Sequence, residues 1–432
     1  MKQVIKHIKT YALLYLGTII YLLFYISAAK TGWFDIFFSG AALHNGAKGI
    51  DFYQLLQGAW AYWHGGSLTG KPLSDGAVYV KESYPINGNV YHPLLTLTLG
   101  SLLIQFDPAT AYYVWLWAKL PLSLLAAGYF YWSFRKYRYV QFATFVLLVN
   151  FSAYLELAAG QFHLLLNICI LLFLCLLAKK KLNWSGGIYW LSLLVKPVGL
   201  LFLPILVIKR YWPIALIGVF FFTFDTWIWI AAGPGSYYLD NLSPNIFGSW
   251  YPGPDQIITL RALLHFSTHW PDISYIILQA GVLCVVLFLS ALQRIHTYTA
   301  IFLFVAYFLC FYTLVYEYDW STLAYVLPLC IICCPSFQTR FSRFCILLTS
   351  LPSCFLVLRL LHIGIMDKGD AGFFPDEHAW KLMIVSKLLP LGLLCVSVLV
   401  ADIKPIVKQM KMFFAILQKT NAELKIFGRG EA

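Results

Sequence analysis

The N-terminal stretch, residues 1–30, reads MKQVIKHIKTYALLYLGTIIYLLFYISAAK and indicates the fold class of the chain. Three lysines precede an apolar run from Tyr11 to Ala29. A secretory signal peptide has a shorter apolar core, which ends at a small-residue cleavage site. This run is about 20 residues long, which is enough to cross the hydrocarbon core of a bilayer. We therefore expect a retained first membrane helix that begins on the cytoplasmic side.

The composition of the 432-residue chain points to the same class. Hydrophobic residues make up 60% of the sequence, charged residues only 12%, and the mean hydropathy is +0.72. Soluble domains carry about 25% charged residues. The composition excludes a soluble enzyme, a disordered chain and a disulfide-rich secreted module. It predicts an all-α fold, a polytopic helical membrane protein that forms a single transmembrane domain over residues 1–432.

The ten cysteines all lie in apolar runs. Cys330, Cys333 and Cys334 read C-x-x-C-C, but they stand inside a hydrophobic stretch, where small core thiols are the expected interpretation. We therefore predict no metal site and no cofactor.

Apolar runs of about 20 residues mark the candidate membrane spans. They are residues 10–29, 110–133, 139–157, 161–178, 211–231, 273–292, 297–315, 320–334, 343–362 and 379–401. The segment from Pro93 to Phe106 is too short to span and is expected to be interfacial or re-entrant. With the short re-entrant pieces included, we expect about 10–12 membrane helices.

The net charge of +12 reflects topology and not nucleic-acid binding, because the basic residues lie in short clusters between the apolar runs. Such clusters stay on the cytoplasmic side. This rule predicts a multi-pass protein of the cytoplasmic membrane with both termini inside. It also predicts outer loops at 30–91, with interfacial helices, and at 233–272. The tail, residues 402–432, is expected to be a cytoplasmic amphipathic helix.

One apolar segment, residues 184–208, is interrupted in its middle by Lys196-Pro197. Basic residues flank both ends, so the positive-inside rule predicts a broken, re-entrant helix with Lys196 at its tip. A lysine at membrane depth needs an anion or carbonyl groups nearby. A bound phosphate is the functional interpretation, and we prefer it to snorkelling because the cytoplasmic flanks are distant.

Asp35 stands in GWFDIFFSG, directly after the first span. Its aromatic neighbours offer little to hydrate a carboxylate, and an acid in such surroundings is costly unless it is used. A general base is one interpretation. An interfacial acid that caps a loop helix is the other.

Further polar residues are expected at the outer ends of the spans, each with a structural alternative. Asp51 is equally suited to be the N-cap of a helix. His92 is equally suited to the entry of a helix before proline. The acidic turn Tyr316–Trp320 is equally suited to the aromatic belt at a membrane interface. Arg359 near the outer end of a late span is explained as well by snorkelling as by phosphate binding. The remaining candidates are Tyr53, Gln161, His163, Gln256, Arg261, Glu317 and Asp319.

In order along the chain, these residues resemble the pattern of glycosyltransferase family 87, a group of polytopic enzymes of the GT-C type. The resemblance covers about residues 33–327 and departs from the pattern at His163, where asparagine is frequent, and before Tyr318, where Ser-Pro is missing. The matching steps are Asp35, Asp51-Phe52-Tyr53, Tyr91-His92-Pro93-Leu94, Gly160-Gln161, Lys196-Pro197, Asp255-Gln256 with Arg261, and Tyr316–Trp320.

The resemblance implies an inverting transfer of a hexose, typically mannose, from a polyprenyl-phosphate carrier to a lipid-linked or surface glycan. The implied partners are that lipid-linked sugar, the acceptor and membrane lipids, without nucleic acid. Asp35 is implied as the general base. Lys196, Arg261 and Arg359 are the candidates for the donor phosphate. The substrate-binding candidates are Asp51, Tyr53, His92, Gln161, His163, Gln256, Glu317 and Asp319.

Two other functions share these features. A transporter or flippase for a lipid-linked sugar also needs a cation for phosphate and aromatic rings for sugar, but it needs no base at Asp35. A membrane scaffold subunit needs neither, and a lysine within an apolar segment argues against it.

Overall fold

The computed structural model describes residues 2–38, 49–68, 73, 76–80, 89, 91–231, 258–268, 272–292, 295–311, 320–367 and 373–427. These residues are almost entirely helical, with one short β-hairpin. The predicted fold class, a polytopic helical membrane protein, is confirmed. The hairpin was not predicted.

The elements are numbered here in chain order. The first half contains α1 (Lys2–Ile26), α2 (Ile50–Trp63), α3 (Pro93–Leu103), α4 (Pro108–Phe134), α5 (Val140–Leu148), α6 (Phe151–Ala158), α7 (His163–Ala178), α8 (Leu182–Val195) and α9 (Leu203–Ile208). The second half contains α10 (Trp212–Ala231), α11 (Leu260–Thr268), α12 (Asp272–Ala291), α13 (Thr297–Phe311), α14 (Ser321–Cys333), α15 (Arg340–Ser350), α16 (Phe355–Leu360), β1 (Ile365–Asp367), β2 (Phe373–Pro375) and α17 (Glu377–Phe427).

Five helical segments of the described chain are long and apolar enough to cross a membrane, or six if α3 and α4 form one bent span. The five are Tyr11–Thr31, Val140–Ala158, Trp212–Ala231, Ile273–Ala291 and Glu377–Asp402. Three shorter apolar helices, α7, α13 and α14, accompany them. The helix bundle is therefore embedded in a membrane.

The short apolar segment after His92 forms α3, which meets α4 at an angle of 111°. Asp107 caps the new helix, since its carboxylate accepts a hydrogen bond of 3.1 Å from the Thr110 amide. Pro108 at the first helical position is suited to this start because it has no amide hydrogen to satisfy.

The Lys196-Pro197 step breaks the chain between α8 and the 3-10 turn Pro197–Phe202. Lys196 has an extended backbone (φ −149°, ψ 131°), as steric contact with a following proline favours. The two sides of the break are joined by the Tyr189 hydroxyl, which donates to the Gly199 carbonyl at 2.8 Å.

The core lies where α7 and α14 pass through the middle of the bundle. α14 packs against α5, α7 and α13, and the residues from Leu323 to Ile332 are all buried. α8 packs mainly between α7 and α10. A helix buried on every side presents no surface to lipid, so α14 is an internal element of the bundle.

Candidate functional site

Asp35 opens a 3-10 turn, Asp35–Phe37, just beyond α1. Gly32 makes this turn possible, because its left-handed backbone (φ 64°) ends the last helical turn. The Asp35 side chain is buried, with a relative exposure of 8%, and its carboxylate accepts a hydrogen bond from the Tyr154 hydroxyl on α6. The predicted base is thus held against a helix more than a hundred residues later.

A chain of hydrogen bonds leads from the Phe34 amide through Ser27 and Tyr154 to Asp35. The Phe34 amide donates to the Ser27 hydroxyl oxygen at 3.0 Å, and the Ser27 hydroxyl donates to the Tyr154 oxygen at 3.3 Å. Each donated bond strengthens the next. The phenol proton is therefore directed at the Asp35 carboxylate, and this orients the acid.

Aromatic rings surround this carboxylate. Phe38 stacks on Tyr154 with centroids 5.8 Å apart, and Phe34 meets the same ring edge-on at 5.5 Å. Helix α16, which carries Arg359, packs against the Asp35 turn.

The turn between α6 and α7, Ala159–Phe162, is the second part of the site. Gly160 has φ 72°, and a β-carbon there would lie 2.8 Å from Phe52 Cβ, so only glycine fits. The indole of Trp115 donates to the Gly160 carbonyl at 3.0 Å. The Tyr91 hydroxyl donates to Gln161 Oε1 at 3.4 Å. The structure thus brings together two predicted segments that lie 70 residues apart.

Tyr53 and Asp51 lie on α2, beside this turn. The Tyr53 hydroxyl donates to the Pro108 carbonyl at 3.2 Å, and the neighbouring Phe52 stacks on Phe162. The alternative of Asp51 as an N-cap does not hold, because α2 begins at Ile50 with Gly49 as its N-cap residue. The Asp51 side chain lies outside the described part of the structure.

His92 is fully buried and caps α3, since its Nδ1 accepts from the Leu94 amide at 3.2 Å. Burial lowers the pKa of His92 to about 4, so the ring is neutral at pH 7. The proton then sits on Nε2, which donates to the Thr226 hydroxyl of α10 at 3.3 Å. His92 therefore joins α3 to α10.

His163 begins α7 and contacts the start of α14. Its Nε2 bonds the Thr322 hydroxyl at 2.9 Å. Behind Thr322 lie Asn167, Ser321 and Glu156, all buried and hydrogen-bonded to one another. We name this set the buried network: Glu156, Asn167, Ser321, Thr322 and His163.

Two lysines flank this network. Lys119 of α4 has no exposed surface, donates to the Glu156 carbonyl at 3.0 Å, and lies 5.6 Å from the centre of the Trp115 ring. Lys196 is partly buried at the break after α8. Both lysines border α7, because α4 and α8 pack against that helix.

The other predicted cations lie on different elements. Arg261 is partly buried on α11, which packs against α13 and α17. The Arg359 guanidinium stacks on Phe373 of β2, 3.5 Å from the ring centre. Gln256, Glu317 and Asp319 lie outside the described residues, as do parts of both predicted outer loops.

Sequence reasoning missed five groups that the structure brings to the site: Tyr154, Lys119, Asn167, Ser321 and Thr322. A charge inside an apolar run was the available signal for Lys119. Asn167 stands four residues after His163, a spacing that predicts one helix face. No comparable signal marked Tyr154 or Thr322, because tyrosine and threonine are ordinary in membrane helices.

A comparison with protein-family models gives the family of the chain. Residues 89–316, more than half of the chain, match the model of glycosyltransferase family 87. The chain belongs to glycosyltransferase family 87. The match includes His92, Gln161, His163, Lys196 and Arg261, whereas Asp35 and Arg359 lie outside it. A search of curated proteins returns no match.

The suspected family is thereby confirmed. The protein is a glycosyltransferase embedded in a membrane by several apolar helices. A glycosyltransferase of this kind needs a base or a leaving-group partner beside a bound sugar. The buried Asp35 carboxylate, Lys119 and Lys196 are among the groups of the described chain with those chemical abilities.

Proposed function

We propose that the protein is an inverting hexosyltransferase that uses a polyprenyl-phosphate sugar, with mannose as the first candidate. The acceptor is a lipid-linked or surface glycan on the outer face of the cytoplasmic membrane. One observation carries this proposal: the Asp35 carboxylate is buried among aromatic rings and oriented by the Tyr154 hydroxyl, in a membrane enzyme of this family.

Asp35 is the base of this reaction. It takes the proton of the acceptor hydroxyl as the hydroxyl oxygen attacks the anomeric carbon of the donor. The bond from that carbon to the phosphate oxygen breaks on the opposite face, and the phosphate leaves with the electron pair. The configuration at the anomeric carbon is inverted, and the proton ends on Asp35. The leaving phosphate needs no acid.

Cations stabilise the charge that grows on the leaving phosphate. Lys196 is the first candidate, since its backbone is extended at a helix break and its side chain is only partly buried. Arg261 and Arg359 are the further candidates. The basic clusters of the sequence support an outer site. They assign both ends of residues 184–208 to the cytoplasm, which leaves Lys196 at the tip of that segment, away from the cytoplasmic side.

Sugar hydroxyls are expected at the α6–α7 turn. Gln161 and His163 lie there, and Tyr53, Tyr91 and His92 pack nearby. Aromatic faces and amide or imidazole groups together suit a carbohydrate, which offers apolar ring faces and hydroxyl donors.

The test is a transfer assay on the purified full chain. Polyprenyl-phosphate mannose, polyprenyl-phosphate glucose and a nucleotide-linked mannose are incubated separately with a membrane lipid extract, and products are identified by mass. We expect a hexose added only from the polyprenyl-phosphate donors, mannose first, with an inverted linkage. Transfer from the nucleotide donor alone would overturn the proposed carrier. Movement of the lipid-linked sugar across a vesicle membrane without any transfer would favour a flippase.

A further inference from the structure

Basic side chains from two distant segments meet where the α4–α5 turn lies beside the start of α15. The turn carries Arg135, Lys136 and Arg138, and the first turn of α15 carries Arg340 and Arg343. Helix α15 packs against α5, which brings the two segments together. We name these five residues the inner basic cluster, because the positive-inside rule assigns this end of the bundle to the cytoplasm.

Two guanidinium groups of this cluster converge on one aromatic ring. The guanidinium carbons of Arg138 and Arg343 each lie 5.1 Å from the centre of the Tyr139 ring, and that of Arg343 lies 5.9 Å from the centre of Phe142. The two carbons are thus separated by at most twice the first distance, and like charges this close repel each other.

Carboxylates do not compensate these two charges within the described part of the chain. Residues 132–144 and 335–350 contain neither Asp nor Glu. Asp402, at the end of the α17 span that packs on α15, forms no ion pair with either arginine. Arg343 Nε also has no hydrogen-bond acceptor among the described residues. The site therefore has a surplus of positive charge and of donors.

Exposed aromatic side chains surround the inner basic cluster. Trp132 and Tyr137 are exposed at the α4–α5 turn, and Phe341 and Phe344 are exposed on α15. The Arg135 guanidinium stacks on Trp132, with its carbon 3.9 Å from the ring centre. Aromatic rings exposed at the end of a membrane bundle lie at the level of the lipid headgroups. The cluster is therefore at the depth of lipid phosphates.

We propose that the inner basic cluster binds the headgroup phosphate of an anionic phospholipid between Arg138 and Arg343. Guanidinium groups donate to phosphate oxygens in a planar fork. Arg138 is exposed and Arg343 is partly exposed, so a headgroup in the adjoining leaflet reaches both side chains. One anion between them replaces their repulsion with two attractions. The bound lipid joins the α4–α5 turn to α15, and this inference does not depend on the sugar donor.

Two simpler explanations account for less of this arrangement. The positive-inside rule explains on which side the charges lie, but not why charges from two segments meet at one ring. A cation–π contact from Arg343 alone would join α15 to the Tyr139 ring. Arg138 belongs to the same turn as Tyr139, so it adds repulsion without joining a further helix. An acidic partner protein would also compensate the charge, but the exposed rings around the cluster favour a lipid interface.

The experiment compares Arg343→Gln with Arg340→Gln, which removes the same charge from an exposed position one turn earlier on α15. The full chain is purified in a neutral detergent and titrated with phosphatidylglycerol or phosphatidylcholine. Bound lipid is measured by native mass spectrometry, and Tm is measured on the same samples.

We expect phosphatidylglycerol, and not phosphatidylcholine, to bind the unmodified chain and raise its Tm. Arg343→Gln should weaken phosphatidylglycerol binding by about tenfold, as the loss of a hydrogen bond to a charged group does. Arg340→Gln should weaken it by about twofold or less, because an exposed charge is screened by water and salt.

Equal losses in the two variants would indicate a diffuse surface charge and overturn the site. Inorganic phosphate that raises Tm as much as phosphatidylglycerol does would overturn the lipid as ligand. Polyglutamate that raises Tm where phosphatidylglycerol does not would point to an acidic protein partner instead. If Arg343→Gln does not fold, Arg138→Gln, at an exposed position on the turn, is read in the same two assays with the same expected loss.

Discussion

Two regions of the bundle hold an acid inside apolar helices in very different ways. In the central region, formed by α5, α6, α7 and α14, 72% of the apolar stretch within Val140–Ala158 is buried. In the flanking region, formed by α8, the Lys196 break and α10, the corresponding share of Trp212–Ala231 is 22%. Glu156 in the centre accepts bonds from two side chains on two other helices. Asp225 in the flank is only partly buried, and the Trp190 indole donates to it at 2.7 Å.

The two regions differ in how rigidly they hold a polar side chain and in how accessible that side chain is from the membrane. A polar group held from three helices keeps one orientation, as a base and its neighbours require. Lys196 at the helix break is only partly buried, as a cation that meets a lipid-linked donor is required to be. The acceptor chemistry is thus expected to depend on the central region and donor binding on the flanking region. Three predictions test this division.

The largest effect is expected for Asp35→Asn, at the edge of the central region. Asparagine is nearly isosteric but cannot take the acceptor proton. The loss of a general base costs about 10²–10⁴-fold in rate, roughly 3–5 kcal/mol. Transfer and binding of the lipid donor are measured on the same purified variant. We expect lost transfer with retained donor binding, because the base contacts the acceptor.

Tyr154→Phe is the matched control for Asp35. It keeps the ring that packs against Phe34 and Phe38 and removes only the hydroxyl that orients the carboxylate. We expect a smaller loss of kcat, about tenfold or 1.4 kcal/mol. Retained transfer in Asp35→Asn would remove Asp35 from the reaction, whereas loss of the folded protein in that variant would favour a structural acid.

A smaller effect is expected for Lys196→Met, in the flanking region. Methionine keeps most of the apolar stem and removes the charge. We expect the apparent donor constant to rise by about tenfold, or 1.4 kcal/mol, with kcat less affected. Lys196→Arg retains the charge and serves as the control. Unchanged donor kinetics in Lys196→Met would show that another cation binds the phosphate.

The smallest effect concerns pH and Lys209, at the turn after α9. The Lys209 ammonium donates to the carbonyls of Leu292 and Ile295 at 3.2 and 2.8 Å, and burial lowers its pKa to about 8. The unfolded chain, with a lysine pKa of about 10.4, binds more protons between pH 8 and that value. The free energy of unfolding therefore rises with pH in this window.

Thermal unfolding at pH 8 and pH 10 checks this sign. The protein should gain slightly in Tm at the higher pH relative to Lys209→Met, in which the titrating group is missing. A half-buried lysine is partly screened by water, so the difference is expected to be small. A fall in Tm relative to that variant would contradict the depressed pKa.

Much of the fold follows from the sequence because apolar runs must be helical in a membrane. Composition predicted the class, and Lys196-Pro197 predicted a break where α8 ends. The start of α2 was less predictable, because Gly49, with φ 81°, caps it in place of Asp51. The hairpin of β1 and β2 was missed since strands of three residues carry no periodicity.

The site was predicted only in part. Asp35 and His163 were recognised because polar residues at the ends of apolar runs are unusual. Their partners Tyr154 and Thr322 are 119 and 159 residues away, and these contacts depend on how each helix is rotated and shifted against its neighbours. That register is set by side-chain packing between helices, which a single sequence does not display.

The burial of α14 on every side has a consequence for biogenesis. Its 13 residues rise about 20 Å, which is less than the roughly 30 Å of a hydrocarbon core. A segment this short cannot enter the lipid phase by partitioning alone, and its buried serine is paired only after α6 and α7 are present. We therefore expect α14 to be stable in the membrane only once α6 and α7 are in place, so that its insertion is coupled to tertiary folding.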